Sequence, residues 1–282
     1  MDHAAIVFGE VVVDVYPDDE VPAGAALHVA AHLAAAGWTS FLVTRVGTDA
    51  AGDAFIRLFE RHGIDTRYVE RDPRLPSGRT TLRPIGLETE FTVHGPVAWD
   101  AIAGPDRLPR HDAVCYGTLA ARSSTSRAAM RRLLEASRAP HKVLDVNLRP
   151  PDVTRDVLGM TLAAATAVKV AERELDPVAS HLGIEASPEA LFEAGDRLRW
   201  LCITRGERGA SLHDRSGARW DAPAERVAAS NAVGAGDAFT AGLTRGLVEG
   251  LPPQDVLGLA QRTAASILVK AGGLPEPRSA QQ

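Results

Sequence analysis

The chain predicts an α/β fold with a mostly parallel central sheet covered on both faces by helices. Three observations carry that expectation. Short β-branched or apolar runs alternate with alanine- and arginine-rich segments of helical spacing. Several of those runs are apolar enough for strands buried on both sides. Polar residues gather just beyond their carboxyl ends, where ligands collect in open α/β sheets. At 282 residues the chain is long enough for one large core, and a single domain over residues 1–282 is expected.

The predicted strands are Ala4–Phe8, Ser40–Val46, Ala113–Tyr116, Lys142–Asp145, Ala167–Val170 and Leu201–Thr204. The predicted helices are Ala25–Ala36, Asp53–His62, Ser126–Ser137, Thr154–Ala165, Pro188–Leu198 and Asp237–Glu249. Helical crossovers between successive strands make those strands parallel. Two regions break this rhythm. Val11–Tyr16, and the pair Thr80–Ile85 and Thr89–His94 joined around Gly86, alternate like strands with no helix between them. They predict a small antiparallel β lid over the main sheet, built from residues 11–16 and 78–96. Pro84 belongs on an edge of it, having no N–H for a ladder.

Composition narrows the function classes. The chain is 45% hydrophobic and 24% charged, as a folded globular protein is. Its 31 basic and 36 acidic residues leave a net charge of −5, which offers no bulk attraction to nucleic acid or to an anionic membrane. Small-molecule partners are expected instead. Cys115 and Cys202 each sit in an apolar run and read as buried free thiols. No basic leader precedes Asp14 and no apolar run approaches the ~20 residues of a membrane span, so a cytoplasmic location is expected.

The stretch with most chemical content is residues 228–246, where a glycine-rich turn runs directly into a helix. Gly234, Ala235 and Gly236 carry almost no side chain, so their N–H groups can converge on an oxyanion. The unpaired N–H groups of the following helix point the same way. Asp237 stands at this junction, where a negative charge beside bound phosphate is unfavourable unless it has a task such as taking a proton from a hydroxyl. Taken alone, the same residues also read as an ordinary cap on a small-residue helix.

Other candidates line up at the strand ends: Gly9-Glu10 and Asp14, Asp145-Val-Asn147-Leu-Arg149, Lys169 followed by Glu172 and Glu174, and Thr204-Arg-Gly206-Glu-Arg-Gly209. Singly, Asp14 and Arg149 read better as solvated turn residues and Asp145 as a cap, and the others also fit turns or a solvated face; their joint order points to a site with acceptors for hydroxyls and donors for phosphate. His28 and His32 have the spacing of two metal ligands on a helix, but the glutamate of a zinc-protease helix and a third ligand are missing. No nucleophile elbow, Cys-x-x-Cys pair or Walker-type loop is present.

In this order the motifs resemble the PfkB family of carbohydrate kinases, with its ribokinase-like three-layer α/β/α sandwich, over nearly the whole chain. Residues 231–239 resemble the family's Asp-Thr-x-Gly-Ala-Gly-Asp signature, and residues 23–33 its Gly-Gly-Ala-x-x-Asn-x-Ala sugar motif. Val46-Gly-Thr-Asp49-Ala-Ala-Gly52 resembles the Val-Gly-x-Asp-x-x-Gly element. Residues 8–14, Ala98-Trp-Asp100, 116–122, Ser126-Arg127, 145–150 and 262–266 are similar to segments of the fructokinase-like branch.

The resemblance implies Mg²⁺-assisted transfer of the ATP γ-phosphoryl group to a sugar hydroxyl. Asp237 would be the general base and Gly234, Ala235 and Gly236 the anion hole. Asp14, Gly24, His28 and Asn147 would hold the sugar, and Arg149 would brace the sugar or the phosphoryl oxygens. Lys169, Thr204, Gly206 and Gly209 would bind nucleotide, and Glu174 would hold Mg²⁺ through water. The lid would close on the sugar and provide homodimer contacts.

Five positions depart from the family pattern. Asn231 and Ala232 replace the first signature Asp and Thr, which argues against a monovalent-cation site. Ala171 replaces the Asn of Asn-x-x-Glu, Ala23 replaces a glycine, and His28 replaces an amide with a bulkier group of one donor and one acceptor. The expected substrate is a fructose-like ketose or keto-sugar acid. A catalytically weakened sugar- or nucleotide-binding regulatory protein, and a nucleoside kinase, remain as alternatives.

Overall fold

A computed structural model describes residues 3–85, 88–225, 227, 233–268 and 273–277. The first half contains β1 (Ala4–Phe8), β2 (Val12–Val15), β3 (Glu20–Ala23), α1 (Ala25–Ala35), β4 (Thr39–Gly47), α2 (Ala50–Arg61), β5 (Val69–Asp72), β6 (Gly78–Ile85), β7 (Glu88–Val93), β8 (Ala113–Gly117) and α3 (Ser124–Ala136). The second contains β9 (His141–Asp145), α4 (Arg155–Ala164), β10 (Ala167–Ala171), α5 (Leu175–Leu182), α6 (Pro188–Ala194), β11 (Trp200–Thr204), β12 (Ala210–Asp214), β13 (Arg219–Ala222), α7 (Ala235–Val248) and α8 (Pro253–Leu268). Gly86, Asn231 and Ala232 lie outside the described residues.

The main sheet has nine strands in the order β13-β12-β11-β10-β9-β8-β1-β4-β5. It is parallel from β5 to β11; β12 runs antiparallel to β11, and β13 antiparallel to β12. Alternate residues of one strand feed two cores. Ile6 and Phe8 of β1 pack with Met130, Leu133 and Leu158 on the α3–α4 face. Ala5 and Val7 pack with Leu27, Phe59, Leu243 and Leu257 under α1, α2, α7 and α8. Burial on both faces is why these strands read as unbroken apolar runs.

Helix starts follow their capping chemistry. Asp49, Ser123, Thr154 and Ser187 each accept a backbone N–H at the start of α2, α3, α4 and α6. α6 was expected to reach Leu198 but stops at Ala194, where Gly195 adopts an extended backbone. α5 and α8 were not anticipated.

The second sheet has the order β3-β2-β6-β7. Its outer pairings, β2 with β3 and β6 with β7, are antiparallel, while β2 and β6 run parallel. β3 escaped the sequence reading because Glu-Val-Pro-Ala is short and carries a proline; it forms as an edge strand on β2.

Two motifs that carry the family resemblance lock this sheet to the main one. Asp49 accepts from Gly52 N at 2.8 Å, Ser77 N at 2.8 Å and Ser77 Oγ at 2.6 Å, which ties the β4–α2 junction to the start of β6. At the other end, Arg122 binds Asp100 through two 2.8 Å bonds, donates to the His94 carbonyl at 2.8 Å, and stacks 4.1 Å over Trp99. Ser126 Oγ donates to the Trp99 carbonyl at 2.7 Å. Among the described residues, no helix is long and apolar enough to cross a membrane.

Candidate active site

The first turn of α7 meets the carboxyl ends of β9 and β10, with α1 alongside. Gly234 caps α7 in the left-handed region at φ 78°, and no side-chain cap occupies the N–H groups of this turn. A Cβ on Gly234 would stand 2.9 Å from Gly273 Cα and 3.2 Å from His28 Nδ1, so only glycine admits both neighbours. The N–H groups of Ala235, Gly236 and Asp237 precede the first intrahelical bond, from Ala238 N to the Gly234 carbonyl at 2.8 Å. They form an anion-attracting helix start.

Beneath it lies a buried ion pair. Asp145 and Lys169 are register partners on β9 and β10, so both side chains face α7. Lys169 Nζ donates to the two Asp145 oxygens at 3.0 and 3.1 Å, and Thr240 Oγ1 donates to Asp145 Oδ2 at 2.7 Å. The same Nζ would be 3.2 Å from a Cβ on Gly236, which puts a cation next to the free amides. Burial disfavours the ammonium, but the charges of Asp145, Glu174 and Asp237 outweigh it and hold Lys169 above its ordinary pKa.

Asp237 is hydrogen-bonded to His28, whose Nδ1 lies 2.8 Å from Oδ2. Burial pushes the Asp237 carboxyl up; the His28 bond and charge, then Lys169 and Arg149, overcome this and hold it below the ordinary value. Two further carboxyls face the same point and behave oppositely. Burial raises Glu10 to about 7 and Asp14 to about 6, the negative charge of Asp237 adding to both shifts. One ionised acid thus sits among acids that resist ionisation.

Gly24 caps α1 at φ 117°, where a Cβ would lie 2.6 Å from the Glu10 carbonyl oxygen. Asn147 holds a positive φ of 38°, an uncommon backbone for a non-glycine residue in the loop after β9. Arg149, in the same loop, donates to the Leu148 carbonyl at 3.0 Å and lies 5.2 Å from the ring of Phe91 on β7. It makes no ion pair among the described residues, so its charge is available to a ligand. A small cavity of about 20 Å³, room for about one water, is lined by Glu10, Asp145, Asn147 and Thr240. A wider cleft of about 920 Å³ opens on the α3–α4 side and includes none of the predicted site residues.

The expected nucleotide and metal positions lie along β10 and β11. Thr204 ends β11, and Gly206–Arg208 make a tight turn closed by Gly209, where a Cβ would stand 2.1 Å from the Ala222 carbonyl oxygen. Glu174 is buried, accepting from Leu148 N at Oε1 and Ala171 N at Oε2, both at 2.8 Å. Each oxygen keeps a free lone pair, which suits contact with Mg²⁺ through water. Among the described residues, no group of three His, Cys, Asp or Glu side chains forms a metal cage. His32, one turn from His28, approaches the Gly273 carbonyl at 3.4 Å.

Sequence reasoning missed Thr240 and Phe91. Thr240 sits one turn after Asp237 on α7, a spacing that could have suggested it; nothing local links Phe91 to Arg149.

A family model described as pfkB family carbohydrate kinase matches residues 3–278. A fructokinase from Klebsiella pneumoniae is 32% identical over 275 residues, covering 90% of this chain and 87% of its own length. A 2-dehydro-3-deoxygluconokinase from Thermoproteus tenax is 26% identical over 264 residues, covering 88% of this chain and 80% of its own. The crystal structure of aminoimidazole riboside kinase from Salmonella enterica, complexed with aminoimidazole riboside and an ATP analogue, is similar at a TM-score of 0.83. It is 23% identical and covers 97% of this chain and 96% of that one.

Proposed function

The chain belongs to the pfkB family of carbohydrate kinases, and from that premise we propose that it transfers the ATP γ-phosphoryl group to a hydroxyl of a fructose-like ketose or keto-sugar acid. Asp237 is the general base. The observation that carries this reading is its placement: an ionised carboxylate at the mouth of an uncapped helix start, with Oδ2 held by His28. No described residue bonds its Oδ1, which is left to receive a proton.

In the reaction, Asp237 Oδ1 takes the acceptor hydroxyl proton as the oxygen lone pair forms a bond to the γ-phosphorus. The bond from that phosphorus to the β–γ bridging oxygen breaks, and ADP leaves with the electron pair. The amides of Gly234, Ala235 and Gly236, backed by the Lys169 charge, stabilise the equatorial oxygens. Mg²⁺ bound with the nucleotide would neutralise phosphate charge, with Glu174 holding it through water. Arg149 braces the transferring group or a sugar carboxylate. Asp14 and Asn147 accept and donate to sugar hydroxyls, beside the Gly24 backbone. Thr204, Gly206 and Gly209 seat the nucleotide. The four-stranded sheet acts as the lid, with Phe91 on Arg149 joining it to the site.

The test is a sugar panel with ATP and Mg²⁺, comparing the wild type with Asp237→Asn. Loss of the base lowers kcat by ~10²-fold or more while nucleotide binding persists. Full activity in the variant ends the assignment, and a wild type that binds ligands without turnover marks a regulatory binder instead.

A further inference from the structure

We infer that His28 is a positioning residue for Asp237: its imidazole donates from Nδ1 to Oδ2, fixes the carboxylate's rotation, and presents Oδ1 to the acceptor hydroxyl. This rests on the reading of Asp237 as base and adds to it a His–Asp dyad across α1 and α7. The two residues are 209 positions apart and 2.8 Å from each other. An ionised carboxylate has no hydrogen to give, so the bonded hydrogen is on His28 Nδ1. The pair is shielded from water, with side-chain exposures of 3% for His28 and 14% for Asp237. Among the described residues, no other group bonds Nδ1. The other nitrogen, Nε2, is buried with no hydrogen-bond partner among the described residues.

This arrangement inverts the usual catalytic dyad, in which a carboxylate orients a histidine base. Here the histidine orients and the carboxylate accepts the proton. Asp237 lies among carboxyls whose pKa its own charge raises: Glu10 from the β1–β2 turn, Asp14 from β2 and Asp145 from β9. Lys169 on β10 and Arg149 after β9 join His28 in holding Asp237 below its ordinary value. Lys169 is hydrogen-bonded to Asp145, at 3.0 Å, and reaches Asp237 through its charge alone. His32, the other titratable group on α1, is held by burial down to about 4 and brings no competing charge. His28 alone among these groups bonds Asp237 directly.

The dyad is tested by pH–rate profiles of kcat/KM for the best sugar of the panel, in the wild type, His28→Asn and His28→Leu. Leucine removes the donor, so the acid limb governed by Asp237 moves up by about one pH unit or more, and kcat near neutrality falls more than KM rises. Asparagine offers an N–H and returns the limb toward the wild-type position. A ¹³C NMR titration of the Asp237 carboxyl in the sugar-free enzyme reads the same shift without turnover and applies to either variant that folds. An unmoved limb and an unmoved NMR titration in both variants, with only KM changed, would overturn the dyad and leave His28 as a sugar contact. Asp237→Asn in the same assay separates the two claims. If it keeps full activity, the base assignment fails; if it is inactive while the limb ignores His28, the dyad alone fails.

Discussion

Replacing Lys169 with methionine tests whether a buried ion pair supports the anion site from below. The ammonium meets both Asp145 oxygens, at 3.0 and 3.1 Å, and Thr240 supplies one further donor at 2.7 Å. Methionine keeps the bulk of the stem and removes the charge, leaving Asp145 buried with a single hydroxyl donor. Breaking one side of such a pair costs about 3–5 kcal/mol. The orphaned carboxyl can escape part of that cost by binding a proton, since burial already raises its pKa with Lys169 in place. A folded-state pKa above the unfolded one means that the native variant holds a proton the unfolded chain has released. Stability of the variant therefore falls as pH rises through that raised pKa. Urea unfolding should show a smaller loss in acid, where Asp145 is protonated in the native variant, than in alkali, where it is charged. The double variant Asp145→Asn/Lys169→Met buries no charge and regains most of the stability. It stays deficient in phosphoryl transfer, because the cation beside Gly236 is gone. A loss under about 1 kcal/mol at high pH, the size of a surface pair, would refute the reasoning. So would a double variant no more stable than the single one.

Two further outcomes follow from other parts of the fold. Glu10 has its pKa raised from 4.5 to about 7 by burial, so its penalty is absent below the lower value and complete above the upper one. Glu10→Gln should raise the unfolding free energy by about 3 kcal/mol at most above neutrality and leave it unchanged in acid, as read by denaturation at two pH values. Gly52→Ala puts a Cβ 1.9 Å from the Gly47 carbonyl oxygen, at the junction that Asp49 ties to β6. The backbone must shift, and a loss of about 3 kcal/mol or more is expected by calorimetry; a neutral variant would mean that this junction yields freely.

What could be read from the sequence was what short-range chemistry dictates. The six predicted strands of the main sheet form because burial on both faces demands runs such as Ala5-Ile6-Val7-Phe8. The turn into α7 was legible because two glycines and an alanine leave the amides bare. α8 was legible in principle, since Pro253 opens it and Val256, Leu257 and Ala260 share a buried face. The Val46-Gly-Thr-Asp49 element was recognised by resemblance, yet its work is structural: Asp49 spends both oxygens on Gly52 and Ser77.

Pairings between distant elements were not legible. Lys169 and Asp145 come together through parallel register, which no local pattern encodes. Arg149 meets Phe91 only because a loop of the main sheet lies under the second one. His28 makes the point most sharply. As one residue in a sugar motif it reads as an amide replaced by a bulkier donor and acceptor, a change in the pocket. With Nδ1 given to Asp237, only Nε2 remains for any ligand. On the proposed reading of Asp237 as base, exchanging the amide for imidazole at position 28 acts on that carboxylate before it acts on the choice of sugar.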